Sequence, residues 1–419
     1  MKASINGRFE QYQVETGELK NGLRIIHMPF PSEISYCGIA INTGARDEYE
    51  DEHGMAHFVE HLLFKGTRKR RAHHISSRME NVGGELNAYT TKEETFIYAT
   101  FLSEYFGRAV ELLSDVIFNS VFPDNQIQKE REVILDEINS YIDSPSELIY
   151  DDFENLIFRN NDIGHYILGE PRTLEKFDEQ MIKNFVARQY QPSNMVFFSF
   201  GKTPFSKVMK LCEKYFKFES DDSYPLKIRM QPAAAASGSV KMRKDTAQAH
   251  VMTGVRSYDM FHPQRNMLYL LNHILGGGVI NSRLNNALRE KNGLVYHVES
   301  NLTAYTDTGF FAIYFACDHK YVKRCLKLIK KEIELLKNKP LTSLQLITAK
   351  RQYKGQLGIA FENNETVALR MAKSFLHFNH YFSLQDLFER IDAVDAVDLQ
   401  EAANQLFIYD HFLELQYGI

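Results

Sequence analysis

Long hydrophobic runs and an excess of positive charge are both missing from this sequence of 419 residues. No stretch of about 18 apolar residues occurs, so a membrane-spanning helix is not expected. Lysine and arginine together number 49 against 54 aspartates and glutamates, which gives a net charge of -5. Without a basic field on its surface, the protein is expected to bind neither nucleic acid nor an anionic membrane.

Cysteine is also sparse, and its spacing argues against two kinds of site. None of the four cysteines forms a C-x-x-C pair, so neither a disulfide framework nor a thiolate zinc site is expected (Cys37, Cys212, Cys317 and Cys325). The N-terminal residues lack the apolar segment of a secretory signal and the arginine-rich pattern of a transit peptide, which favours a cytoplasmic protein. A glycine-rich phosphate loop is missing too, and a doubly wound nucleotide-binding fold is therefore disfavoured.

The composition that remains is typical of a globular protein, with 44% hydrophobic and 25% charged residues. The length suits two domains of about 200 residues each. Between residues 219 and 238 the chain becomes polar and then consists mainly of small residues, without apolar periodicity. We therefore predict a first domain over residues 1–218, a linker over 219–238 and a second domain over 239–419.

The run His57-Phe58-Val59-Glu60-His61 is the most informative stretch of the chain. On a helix that turns by about 100° per residue, the two imidazoles lie about 40° apart and the glutamate falls on the same side. Two histidines one turn apart can supply half of a tetrahedral zinc site, whose third protein ligand must come from elsewhere. Glu60 would then be placed to accept the proton of an activated water.

A solvated helix face with incidental histidines is the alternative interpretation. The metal site is favoured because the residues between and around the two histidines are apolar, namely Met55, Phe58, Val59, Leu62, Leu63 and Phe64. Such a helix is expected to be at least half buried, and buried imidazoles need polar partners.

A second helix carries acidic residues that could complete the site. Glu130 and Glu137 lie seven residues apart, about 20° from superposition, so both project along one stripe with Ile134 between them. One carboxylate could ligate zinc and the other could hold a ligating imidazole. Considered without the histidines, the stretch favours a solvated face in which the glutamates pair with Lys129 and Arg131.

The second half of the chain repeats the first. Seven residues of a strand pair and its following helix recur as identical residues 216 positions later. In the first copy they are Leu86, Ala88, Tyr89, Thr90, Ile97, Tyr98 and Leu112. Their counterparts in the second copy are Leu302, Ala304, Tyr305, Thr306, Ile313, Tyr314 and Leu328. An internal duplication is the natural interpretation. The helix of the second copy has His273 but no H-x-x-E-H motif, so only the first copy is predicted to hold a metal.

These stretches resemble the M16 family of inverzincin metallopeptidases over nearly the whole chain. The likeness is closest to the short-chain branch that holds the mitochondrial processing peptidase β subunit and its bacterial relatives. The matching segments are residues 53–67, 83–90, 130–137 and 275–296. The resemblance implies an α+β fold of two duplicated LuxS/MPP-like metallohydrolase domains. Each would be a mostly antiparallel sheet packed with helices, and the two would form half of a clamshell.

The resemblance also implies a ligand set for one zinc ion per chain. In the family the third ligand is a glutamate 76 residues after the second histidine, a spacing that Glu137 has from His61. His57, His61 and Glu137 would therefore ligate the ion. Glu60 would be the general base, and Glu130 would be the carboxylate behind a ligating imidazole.

Four further residues match positions that contact substrate in the family. Asn87 and Ala88 lie on a strand that would bind an extended peptide by strand addition, an ordinary edge strand being the alternative. Arg289 and Tyr296 would hold the substrate backbone and stabilise the oxyanion, while an unremarkable exposed turn is the alternative. The chain departs from the family at His297, where relatives generally have a small residue.

The function expected from the resemblance is that of a zinc endopeptidase that hydrolyses short unfolded peptides inside a closed chamber. We expect a two-fold homodimer in which Arg289 and Tyr296 reach the zinc site of the opposite chain. A selective processing protease for leader or precursor peptides would use the same residues. A non-catalytic scaffold subunit of this fold is a third candidate, although such subunits usually have a degraded metal motif. Three further histidines are expected to be surface or loop residues, namely His73, His74 and His165.

Overall fold

The computed structural model describes residues 13–218, 225–233 and 236–418. Its strands are β1 (Glu15–Glu18), β2 (Arg24–Pro29), β3 (Ile34–Ile41), β4 (Glu85–Thr90), β5 (Thr95–Leu102), β6 (Met195–Gly201), β7 (Gly238–Met242), β8 (Ala249–Ser257), β9 (Val295–Ala304), β10 (Gly309–Cys317) and β11 (Leu413–Tyr417). Its helices are α1 (Met55–Leu63), α2 (Ala72–Glu80), α3 (Phe106–Asn119), α4 (Asp124–Ile142), α5 (Pro145–Ile157), α6 (Pro171–Leu174), α7 (Glu179–Gln189), α8 (Phe205–Tyr215), α9 (Arg265–Leu275), α10 (Val322–Asn338), α11 (Ser343–Phe361), α12 (Asn364–Phe378), α13 (Leu384–Ala393) and α14 (Ala396–Leu406), with a π-helix at Asn285–Glu290. Parts of the predicted linker, residues 219–224 and 234–235, lie outside the described residues.

The first compact unit contains Met1–Ile138, His165–Arg229 and Ile359–Gln385. Its sheet has the strand order β1-β2-β6-β3-β5-β4, in which β2 and β6 pair in parallel and the other pairs are antiparallel. Every residue of the central strand β6 is buried, as its continuous apolar run predicts for a strand that is covered on both faces. Helix α12 packs on β6, β3 and β2, whereas β4 is left at the edge of the sheet.

The second compact unit contains Asn139–Gly164, Met230–Gly358 and Asp386–Ile419. Its sheet has the order β7-β11-β8-β10-β9, in which β7 and β11 are parallel and the other pairs are antiparallel. Helix α5 packs on β8 and β11 of this sheet. Tyr417 donates a hydrogen bond to Asp152 of this helix at 2.5 Å, so a buried polar pair accompanies the apolar packing.

The α+β fold of two units with mostly antiparallel sheets is confirmed. The repeat is visible in the elements, since β4, β5 and α3 recur in the same order as β9, β10 and α10. The domain boundaries at residues 218 and 239 stay a prediction about the two copies in the sequence. Each compact unit, however, also includes a helix from the other half of the chain: α5 belongs to the second unit and α12 packs within the first.

Helices α6 and α7 are separated by a short break. Helix α6 ends at Leu174 and α7 begins at Glu179. The break occurs because the side chain of Asp178 accepts a hydrogen bond from the N–H of Met181 and thus starts a new helix.

Within the described ranges, no helix combines the length and apolar composition needed to span a membrane.

Candidate metal centre

Helix α1 brings the two histidines of the H-x-x-E-H motif to the same side. Phe58, Val59 and Leu62 are fully buried, so the apolar positions fix which face of the helix meets the core. His57 is only 8% exposed, and His61 is partly buried. The expectation that the motif helix is at least half buried is confirmed.

Helix α4 supplies the acidic side chains that face this pair. Ile127, Ile134 and Ile138 are buried along one stripe of the helix, and Glu130 shares this stripe with an exposure of 5%. The interpretation of Glu130 as part of a solvated face is therefore wrong. Glu137 lies near the end of the stripe, where 43% of its side chain is exposed.

His57, His61 and Glu137 lie close enough to share one ion. Each provides one potential ligand atom, and these three atoms are all within 4.8 Å of one another. Oε2 of Glu137 lies 3.8 Å from Nε2 of each histidine, which is longer than a hydrogen bond. Ligand atoms around a tetrahedral zinc with bonds of about 2.0–2.1 Å would be about 3.3 Å apart, so the donor set fits such an ion after a small closure.

The protonation of His57 suits metal binding. Burial lowers the pKa of His57 to about 3, and the positive charge that His61 can carry acts in the same direction. A neutral imidazole is the form that ligates a metal. Near neutral pH, His57 is therefore ready to bind an ion without first losing a proton.

Glu130 orients the second histidine from behind. Its Oε2 lies 3.3 Å from Nδ1 of His61, and its Oε1 lies 2.8 Å from Nζ of Lys65. A carboxylate that accepts the Nδ1 proton leaves Nε2 as the ligand atom, which is the nitrogen that faces Glu137. Glu130 thus contacts the imidazole that it was predicted to hold, although its role stays a prediction. The contact with Lys65 was not expected from the sequence.

Glu60 is held next to this group by the neighbouring strand. The hydroxyl of Thr90 in β4 donates to Oε2 of Glu60 at 2.6 Å. Burial raises the pKa of Glu60, whereas the Thr90 hydroxyl and His61 lower it and Glu137 raises it. A carboxyl group with a raised pKa suits both acceptance and donation of a proton near neutral pH. The contact of Thr90 with Glu60 could not be predicted from the sequence, because it exists only where β4 packs against α1.

The predicted substrate residues lie in both units. Asn87 and Ala88 are half-buried in β4 at the edge of the first sheet. Arg289 and Tyr296 belong to the second unit, where the guanidinium carbon lies 5.8 Å from the centre of the tyrosine ring. Tyr296 is 83% exposed, so its side chain is accessible to a ligand.

The other histidines differ in their surroundings. His73 and His74 are exposed, as expected. His165 lies in a loop, as the prediction allows, and it is only 8% exposed. Its Nε2 lies 2.9 Å from Oε2 of Glu48, a buried carboxylate that the sequence analysis did not consider. His297 lies 3.4 Å from Glu299 on the second sheet.

The protein has a two-unit α+β fold and a histidine-histidine-glutamate group that could hold a metal. These features define a class of candidate metalloproteins. Comparison with known proteins identifies the family. Residues 26–170 match the family model described as insulinase (peptidase family M16), and residues 176–353 match the model described as the peptidase M16 inactive domain. The chain therefore belongs to peptidase family M16.

Individual relatives agree with this assignment. An uncharacterized zinc protease of Bacillus subtilis is 31% identical over 400 residues, which cover 94% of this chain and 96% of that protein. The mitochondrial-processing peptidase subunit beta of Bos taurus is 29% identical over 401 residues, with 94% of this chain and 81% of that protein covered. A protease from Helicobacter pylori has the same fold, with a TM-score of 0.90 and 22% identity over 97% of this chain and 100% of that chain.

Proposed function

We propose that this protein is a zinc-dependent endopeptidase that hydrolyses short unfolded peptides. The observation that carries the proposal is the grouping of His57, His61 and Glu137, with Glu60 between the two histidines on the same helix. Relatives that are named zinc proteases and align with more than nine tenths of the chain support it.

The chain's own residues would divide the chemistry of amide hydrolysis among them. Zinc, when bound, supplies a Lewis acid that makes a water molecule more acidic and polarises a carbonyl group. Glu60, held by Thr90, accepts the proton of the attacking water and later delivers it to the leaving amine. Through its contact with Nδ1 of His61, Glu130 would leave Nε2 of that ring available to hold the metal.

The substrate would bind as an added strand along β4. An edge strand presents unpaired N–H and C=O groups, which a peptide can pair with irrespective of its sequence. Asn87 and Ala88 would contribute backbone and amide contacts at this edge. Because a peptide must be extended to pair in this way, a folded protein would be a poor substrate.

A selective processing protease for leader or precursor peptides remains the second candidate, and its support is the mitochondrial-processing peptidase relative. The same residues would serve both activities. The scaffold candidate is less favoured because the complete donor set of His57, His61 and Glu137, with Glu60 beside it, is present in this chain. A cytoplasmic location also belongs to the proposal.

Zinc content and peptide cleavage test the proposal directly. The purified protein is expected to hold about one zinc per chain and to cut a mixture of short unfolded peptides without ATP. Removal of the metal by a chelator should abolish cleavage, and added zinc should restore it. The matched control is a folded substrate that contains the same cleavable sequence. It should resist cleavage. Product mapping then separates broad degradation from selective processing, whereas a protein without zinc and without cleavage would favour the scaffold candidate.

A two-fold homodimer is also proposed, in which Arg289 and Tyr296 act on the site of the partner chain. Neither Glu60→Gln nor Arg289→Ala alone should cut peptides efficiently. Because each variant retains what the other lacks, mixed dimers should regain one working site, and random mixing should restore about a quarter of native activity. Size-exclusion chromatography checks the dimer. An active monomer, or no recovery after subunit exchange, would contradict the proposal.

A further inference from the structure

The carboxylate of Glu48 is buried against the beginning of helix α1. The residue has no solvent exposure, and its Oε2 accepts the N–H of Gly54 at 2.8 Å. Its Oε1 accepts the N–H of Ala56 at 2.7 Å. Ala56 directly precedes His57, so one side chain binds both ends of the segment that leads into the histidine.

The helix needs this outside acceptor because its own N-cap residue has none. Gly54 adopts φ = 99°, a conformation that L side chains rarely adopt. A Cβ atom at this position would also approach the Cα of Gly169 to 2.8 Å. A serine or aspartate cap at residue 54 is thus excluded by strain and by contact, and Glu48 supplies the missing acceptors from six residues upstream.

His165 holds the carboxylate of Glu48 from its other side. Its Nε2 lies 2.9 Å from Oε2, and its ring stacks on the ring of His53 at a centroid distance of 3.9 Å and an angle of 9°. The hydroxyl of Thr173 donates to the carbonyl of His53 at 2.7 Å. The loop at His165 and the residue Thr173 of α6 therefore fasten the chain immediately before α1.

The two motif histidines differ in how they are oriented. His61 is held through Nδ1 by Glu130, as described above. Among the described residues, the buried Nδ1 of His57 has no hydrogen-bond partner. The direction of the His57 imidazole therefore depends on the backbone of the first turn of α1 and on its packing.

We propose that Glu48 and His165 are positioning residues for the metal centre, which place the first turn of α1 so that Nε2 of His57 faces Glu137. The inference rests on the proposed metal site but not on peptidase activity. Burial raises the pKa of Glu48, yet the contacts do not require a carboxylate anion, because the two oxygens can accept both N–H groups in either protonation state.

The decisive variant is Glu48→Gln. A glutamine has the same shape but only one acceptor oxygen, so its amide nitrogen would face a backbone N–H of α1 or the ring of His165. Zinc sites tolerate ligand displacements of only about 0.2 Å, and loss of an outer-shell partner commonly weakens binding by about 10- to 100-fold. We expect the zinc Kd, measured by competition with a chromophoric chelator, to rise within that range.

Glu94→Gln is the matched control. Glu94 is also buried in the first unit, where its carboxylate binds His377 at 2.7 Å, Lys373 at 2.9 Å and the hydroxyl of Thr91 at 2.7 Å. These partners lie outside α1. The control should therefore lose stability against urea while its zinc Kd stays within about twofold of native, a separation that a general loss of structure would not produce.

The outcomes are distinct for the inference and for the proposed function. Native-like zinc affinity in a folded Glu48→Gln protein would overturn the inference, as would an equal loss of affinity in Glu94→Gln. If Glu48→Gln does not fold, His165→Gln replaces it, and a zinc Kd unchanged from native would again overturn the inference. Should the native protein bind zinc but cut no peptide, the proposed function fails while the zinc titrations still decide the role of Glu48.

Discussion

Substitution of Glu60 by glutamine should reduce peptide cleavage by about 10³-fold while the protein keeps its zinc. The amide cannot accept the proton of the attacking water, so the loss should appear in kcat. Zinc should remain because the three proposed ligands are unchanged, and the Thr90 hydroxyl can still donate to the amide oxygen of the new side chain. Steady-state kinetics on one peptide, together with metal analysis of the same sample, checks this result.

A glutamate outside the candidate metal centre provides the control for the Glu60→Gln variant. Glu132 is exposed on α4, so Glu132→Gln removes the same charge from the same unit and should retain native kcat. If Glu60→Gln kept more than a tenth of native activity, a different group would have to be the base. If it lost zinc as well as activity, the assignment of Glu60 as base rather than ligand would be in doubt.

The second large effect is expected for His57→Ala, which should bind zinc about 10³-fold more weakly than the native protein. If three protein ligands share a binding free energy of roughly 12 kcal/mol, the loss of one costs about 4 kcal/mol. Activity at limiting zinc should fall with the bound metal, and excess zinc should recover only part of it. The zinc Kd is measured by chelator competition and activity is followed across the same titration.

A variant of an exposed histidine tests whether the loss of zinc affinity is specific to His57 or follows from the removal of any imidazole. His74→Ala should have the native zinc Kd, because His74 is exposed and is not part of the ligand group. The unfolding free energy of zinc-free His57→Ala is measured in parallel, since truncation of a buried side chain also leaves a cavity. A native zinc Kd in a folded His57→Ala protein would contradict the proposed ligand set.

Much of the candidate centre could be predicted because its residues are arranged by helical periodicity. His57 and His61 are one turn apart, and Glu130 and Glu137 recur along one stripe of α4. The structure places one potential ligand atom from each of His57, His61 and Glu137 within 4.8 Å of the others, although the role of each residue stays a prediction.

Other contacts at the centre could not be predicted from local spacing. Lys65 reaches Glu130 across 65 positions of sequence, and Thr90 reaches Glu60 across 30. Lysines and threonines are common on helices and strands, so neither residue has a signal of its own. The burial of His165 could not be predicted for the same reason, because its buried partner Glu48 is 117 positions away.

The sequence by itself determined the duplication, the motif helix and the spacing of the glutamates, because each is a pattern of local periodicity or of repetition. The α+β class followed from the resemblance of these stretches to a known family. Only the tertiary structure decided that α5 packs in the second unit and α12 in the first, and that Glu48 caps α1. Apolar periodicity reports which face of an element is buried, but it does not report which distant segment covers that face. The partners of buried polar groups are chosen by that covering segment, and they therefore appear only once the chain is folded.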